Sequence, residues 1–225
     1  MGLIDILKGV LDEKNDSGNL IRSNLKWLII YLLFQTLLFF IVANVIGFSH
    51  KSVEEQFKNL IGVESLYISL AYIAAIILSG TLSSDAKAIM IFCRRKNPLP
   101  GCRAFTEIAL NDARVNIDKL KQLFPSGFPS EPKEQNREWF QLYRKVADRK
   151  IVIDSHKSFL LMRDLAAISL NLLPLSLIGD YLWGISLNRI VYHAMFQLAI
   201  LIFVIIAARN YGSRFVANVL VESTL

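Results

Sequence analysis

The chain has 225 residues, 53% hydrophobic and 20% charged, with a net charge of +6. That is too apolar for a soluble two-domain protein and too charged for membrane spans alone, which leaves a membrane domain carrying one polar insertion. The two cysteines, Cys93 and Cys102, fall in a basic segment assigned below to the cytosol, so reduced thiols are expected rather than a disulfide.

Met1 to Leu11 sets Leu3, Ile6, Leu7 and Val10 at helical spacing. This predicts a short amphipathic helix, lying on the inner leaflet or on the protein's own cytosolic part. Charges run through Met1 to Lys26 and the first apolar run is too long for a signal h-region, so no cleavable signal is expected. Ile6 stands where an N-myristoylation signal needs Ser or Thr. Asn15 to Asn19 breaks the pattern, and Lys26 and Trp27 mark the entry into the membrane.

Four apolar runs follow, Trp27 to Gly47, Leu66 to Leu82, Leu165 to Trp183 and Ile190 to Ala208. Each is long enough to cross a ~30 Å hydrocarbon core as a helix. Of the 25 Lys and Arg, 22 lie before the first run, between the second and third, or after the fourth. The positive-inside rule therefore predicts both termini and the middle segment in the cytosol, with external loops at His50 to Ser65 and Gly184 to Arg189. The expected organisation is a cytosolic N-terminal helix and linker over 1–26, a transmembrane hairpin over 27–82, a basic helical cytosolic domain over 83–163, a second hairpin over 164–208 and a cytosolic tail over 209–225. The fold class is all-α, a multi-pass protein of the bacterial inner membrane with four transmembrane helices and a helical cytosolic extension between spans two and three.

The middle segment carries sixteen basic and nine acidic residues. Nothing at Ser83 to Lys87 obviously stops a helix, so span two is expected to run on until Asn97 to Gly101, where two prolines and a glycine end it. Phe105 to Phe124 follows a helical period, and Pro125 to Pro132 is a rigid turn. Trp139, Tyr143, Val146, Ile153 and Leu160 then mark one stripe of a long helix expected to continue unbroken into span three. The two halves of the chain show no inverted repeat, which lowers a transporter reading.

Ionisable residues inside spans are functional candidates, because a charge in hydrocarbon is costly. Asp180, beside Tyr181 and Trp183, reads as a solvated end residue, and His193 stands within reach of it across a short hairpin. Such a pair fastens helices more often than it moves protons. Gln35, Asn44, Asn171 and Gln197 read as interhelical hydrogen-bonding or pore-facing groups, and Pro174 as a kink or hinge.

Basic clusters recur in the middle segment: Arg94, Arg95, Lys96 and Arg103, then Arg144, Lys145, Arg149 and Lys150. They suit an anionic lipid surface, at about 1 kcal/mol per cation, or a phosphate-bearing ligand or acidic protein partner held by arginine forks. Nucleic acid belongs to the same class of anion. Positive-inside retention alone accounts for such residues equally well. Arg149 and His156 are separated by six residues, a spacing that resembles the Arg-x4-6-His pattern of HEPN-type ribonucleases. That resemblance implies a helical nuclease that pairs two such motifs across a dimer, although Lys150 stands where the family favours a polar residue such as Asn. The seven-residue offset would put both side chains on one helix face.

No Ser/His/Asp set, metal-ligand cluster, Walker A loop or dinucleotide fingerprint is visible, so no catalytic residue, metal or cofactor is expected. The expectation is a non-enzymatic membrane protein, homo-oligomeric in the bilayer, whose basic domain receives a partner or phosphate-bearing ligand and whose spans oligomerise or form a pore. By analogy of architecture the setting is bacterial anti-phage defence, as membrane effector or anchor. The rival readings are a scaffold that tethers a soluble effector, the HEPN-like ribonuclease and a small transporter.

Overall fold

The computed structural model describes residues 20–42, 73–74 and 76–225. Among these the chain is all-helical, with no strand. The N-terminal amphipathic segment, Asn44, the loop His50 to Ser65 and most of the run from Leu66 lie outside the described residues. The helices are α1 (Leu20–Val42), α2 (Ser84–Phe92), α3 (Ala109–Asn111), α4 (Ile117–Gln122), α5 (Pro132–Val146), α6 (Lys150–Leu182) and α7 (Leu187–Glu222). A 3-10 turn, Pro100–Arg103, and a π-turn, Ala104–Ile108, lead into α3.

Two helices, α6 with 33 residues and α7 with 36, are long and apolar enough to cross a membrane. Only 33% and 17% of their most apolar windows are buried within the protein, which is little for core helices of a soluble fold. The apolar stretch Ser23–Phe39 of α1 is shorter, and residues 76–80 form a further helical piece.

The chain divides into two compact units, Met1–Leu82 with Asp164–Phe203, and Ser83–Arg163 with Val204–Leu225. In the first unit α1 is already helical from Leu20, before Lys26 and Trp27, and the Lys26 ammonium sits 5.8 Å from the Trp27 ring centroid. Gly184, at φ +72°, ends α6: its N–H bonds Tyr181 O while Ile185 N–H bonds Asp180 O, the paired bonds of a Schellman cap. Phe39 packs edge-on against Trp183, and a Cβ on Gly179 would come within 3.2 Å of the Phe39 ring.

The second unit corrects three expectations of continuity. The helix expected to run on from span two is interrupted at residues 81–83, because the Ser83 hydroxyl caps a new start by accepting from Ala86 N–H. It stops at Phe92, ahead of the prolines, where Cys93 turns left-handed at φ 51°. The Arg209 guanidinium then takes up the orphan Ile91 carbonyl with two N–H bonds of 3.1 and 3.0 Å. The expected Phe105 to Phe124 helix is likewise split between α3 and α4. Asp112 leaves helical geometry there and accepts from the Arg114 backbone and guanidinium. Finally, the stripe from Trp139 to Leu160 is divided between α5 and α6 at Ala147 to Arg149.

The residues read as a tail over 209–225 are the last turns of α7 and part of a core. Phe215, Val216, Val219 and Leu220 are buried with Ile91, Phe105, Leu120, Trp139, Leu142 and Phe159. The Trp139 indole N–H reaches the Val216 carbonyl at 3.3 Å. The buried Gln135 carbonyl accepts from Phe105 N–H, Thr106 N–H and Thr106 Oγ1, which satisfies donors at the start of the π-turn. Cys93 and Cys102 are both free thiols.

Gly101 lies where the 3-10 turn meets α5. A Cβ there would overlap Asn136 Oδ1 and approach the Trp139 ring to 2.9 Å. Gly101→Ala is expected to lower stability by about 1–3 kcal/mol through overpacking. Gly80→Ala, at a helical site with open space around it, should be neutral or slightly stabilising. Thermal unfolding of both variants in detergent checks the contrast.

Candidate functional site

In the first unit a continuous circuit of side-chain hydrogen bonds, open at its two ends on α6, joins α6, α7 and α1. Asp180 Oδ2 and His193 Nδ1 are 2.7 Å apart, and both side chains are 0% exposed. One turn further along α7, Gln197 Nε2 lies 3.2 Å from His193 Nε2 and donates to Gln35 Oε1 at 3.0 Å. Gln35 Nε2 donates to the Tyr31 hydroxyl, which lies 2.6 Å from Ser169 Oγ, and Ser169 donates to the Leu165 carbonyl. The bonds thus lead from α6 to α7 to α1 and back to α6.

The direction of each bond follows from what each group can do. An amide NH₂ only donates, so His193 Nε2 accepts from Gln197 and the ring proton sits on Nδ1, aimed at the carboxylate. Tyr31 accepts from Gln35 and passes its own proton to Ser169, which is committed to Leu165. Two acceptors in the circuit lack a partner, Asp180 Oδ1 and Gln197 Oε1. Beside it an open recess of about 330 Å³ is lined by Leu38, Ile41, Val42, Arg189, Tyr192, His193 and Phe196.

The structure therefore departs from the reading of Asp180 as a solvated end residue. Although it sits one turn from the Gly184 cap, its carboxylate turns inward to the imidazole. Gln35 and Gln197 bond each other. Asn171 reaches the Leu78 carbonyl, Thr81 Oγ1 and its own helix at Ala167. Helix α6 continues through Pro174. Tyr31 and Ser169 carry part of the circuit and were not singled out in the sequence. The available signal is that Tyr31/Gln35 and His193/Gln197 each place two polar groups one helical turn apart in an apolar run.

In the second unit the structure brings together two of the basic candidates. Arg103 Nε lies 3.2 Å and Arg94 Nη2 3.9 Å from the two oxygens of Glu107. Arg103 also donates to the Asn97 carbonyl and lies 5.9 Å from the Phe92 ring centroid. Burial first, and then the Arg94 charge, lower the pKa of the Arg103 guanidinium, while Glu107 works in the opposite direction. Arg95, Lys96, Arg144, Lys145, Arg149 and Lys150 are exposed and without an ion pair among the described residues. Arg144 and Lys145 occupy the last turn of α5, where cations also complement the helix dipole.

Arg149 and His156 do not share a helix face. Arg149 is exposed in the turn before α6, its carbonyl accepting from Val152 and Ile153, whereas His156 lies within α6. His156 stacks on Phe215 at 4.5 Å between centroids and bonds the Tyr143 hydroxyl through Nδ1 at 3.2 Å. Burial, with the Arg163 charge second, pushes its pKa down to about 4. A second recess, lined by Glu107, Asn111, Asp112, Arg114 and Arg214 among others, is occupied by the Asp112–Arg114 pair and holds no wider set of reactive groups. Among the described residues no group of His, Cys, Asp and Glu has metal-binding geometry.

No protein family, curated protein or solved structure matches this chain.

His156 sets a pH dependence on stability. As pH falls below about 6.5 the unfolded chain takes up this proton first, so stability present above that pH is lost as pH drops toward about 4. Partial solvent access limits the loss to roughly 1–2 kcal/mol. His156→Phe, which keeps an aromatic ring against Phe215, should flatten the unfolding profile between pH 7 and pH 4.5. Thermal melts across that range check it.

Proposed function

We propose that this chain is a non-enzymatic, four-span protein of the bacterial inner membrane. Its basic segment between spans two and three receives an anionic partner or phosphate-bearing ligand in the cytosol, and its spans respond by associating with further copies or opening a pore. The two long apolar helices with mostly uncovered surface support the membrane assignment. So do Tyr181, Trp183 and Tyr192, exposed by 77%, 60% and 73% around the α6–α7 turn, where an aromatic belt would meet the headgroups.

The observation that carries the ligand reading is the convergence of Arg94 and Arg103 on the single carboxylate of Glu107. Two guanidiniums against one carboxylate leave a positive charge uncompensated, and the carboxylate occupies the place a phosphate would take. Uncompensated Arg95 and Lys96, next in the chain to Arg94, extend the same positive field. In the described arrangement Gln35, Gln197 and Asn171 are all committed to bonds within the chain. Pore opening would have to exchange those bonds, so this arrangement corresponds to a resting state.

Inorganic pyrophosphate titrated into the purified protein in nanodiscs tests the ligand site. Binding should weaken steeply with salt. Arg94→Glu with Arg103→Glu should abolish it, each lost charge-assisted contact being worth about 1.5–3 kcal/mol, or roughly tenfold or more. Glu107→Gln should strengthen it by removing the competing carboxylate. Equal affinity in all three proteins would contradict the assignment.

A further inference from the structure

Burying a carboxylate and an imidazole within an apolar helix bundle is costly, and fastening helices does not need titratable groups, since Gln and Ser suffice for that. The circuit contains both kinds of group, arranged so that a proton arriving at one end has somewhere to be registered. His193 is the only member that also lines the recess, and its side chain is fully buried there. Among the described residues, Asp180 of α6 pairs with it, Arg189 and Tyr192 of α7 line the same recess, and Tyr31 of α1 lies further along the circuit.

We propose that the Asp180–His193 pair is a proton-binding site of the membrane unit, and that its occupancy sets the hydrogen-bond direction along the whole circuit. In the present arrangement Nε2 accepts from the Gln197 amide. A proton transferred from hydronium to Nε2 converts that acceptor into a donor, leaves water behind and creates an imidazolium paired with Asp180. Two donors then face each other across 3.2 Å, and the Gln197 amide must turn over to offer its oxygen.

That turn breaks no bond at Gln197 Oε1, because the atom has no partner now. Once turned, Gln197 Oε1 accepts from His193 and also demands a donor from Gln35, so the Gln35 amide turns in step. Gln35 then presents its oxygen to Tyr31, whose hydroxyl proton swings from Ser169 to Gln35. Ser169 is left to donate to Tyr31 in place of Leu165. Each reversed link has a workable partner, since hydroxyls donate and accept and amides expose one face of each kind, while the turned Gln197 NH₂ takes the buried, unpartnered position that its oxygen holds now. The circuit therefore has two self-consistent polarities, selected by one proton, and the selection is felt on all three helices.

Nuclear magnetic resonance of the full-length protein in nanodiscs, with labelled histidine and glutamine side chains, tests this. His193 is assigned by the signal lost in His193→Gln. Titrated from about pH 9 to about pH 4, a span that brackets ordinary imidazole behaviour, His193 should pass from the Nδ1–H tautomer to imidazolium. The side-chain NH₂ signals of Gln197 and Gln35 should move with the same midpoint. Gln197→Leu, an apolar replacement suited to the bilayer, should leave His193 titrating while the Gln35 signal no longer follows it. The proposal is overturned if His193 keeps one protonation state throughout, if the glutamine signals stay fixed while it titrates, or if Gln35 still follows in Gln197→Leu.

Discussion

A polar group on an apolar helix must find its partner inside the protein, and here that requirement is met by a chain of bonds rather than by isolated pairs. Asp180 to His193 ties α6 to α7, Gln197 to Gln35 ties α7 to α1, and Tyr31 to Ser169 ties α1 back to α6. Eleven residues of α6, about 16 Å of helix, separate the two ends of the chain of bonds, so it fixes rotation as well as proximity. Gly179 allows the close approach of Phe39, and Gly184 closes the cap that aims Asp180 inward. Removing one member strands its neighbours without water to replace it, which is why such networks respond as a unit.

The second unit is held by different physics. Its core is aromatic and aliphatic, with Phe215 touching Trp139, Tyr143, His156 and Phe159. Buried polar groups there take partners within the unit: Trp139 at the Val216 carbonyl, Gln135 at the π-turn and Asn218 at Arg114. Arg94, Arg103 and Glu107 meet outside the core, and Arg95 and Lys96 beside them are exposed. His156 stacks against that core on Phe215, where burial lowers its pKa.

The four long apolar runs and the uneven distribution of Lys and Arg are legible because both are summed over many residues. Helix breaks are decided by single groups, and there the sequence reading ran too smoothly. Ser83 followed by Asp85, Asn116 followed by Lys119 at capping distance, and Glu131 before Pro132 are all local start signals. The apolar period running past Ser83 and Arg149 outweighed such local signals. Asp180 is hard to read for a related reason: its neighbours Tyr181 and Trp183 face out, while the period of 3.6 turns the carboxylate inward toward a partner thirteen residues away. The convergence of Arg94 and Arg103 depends on the fold of the segment between them, which composition does not reveal.

The central claim is that α6 and α7 cross the bilayer as a hairpin with the basic segment in the cytosol. Single cysteines at Ser126 and Ser186, both exposed, in a background with Cys93 and Cys102 replaced, measure it with an impermeant maleimide on cells whose outer barrier is open and inner membrane intact. The account predicts labelling at Ser186→Cys before the inner membrane is permeabilised and at Ser126→Cys only afterwards. Equal labelling of both sites on intact inner membranes would contradict it.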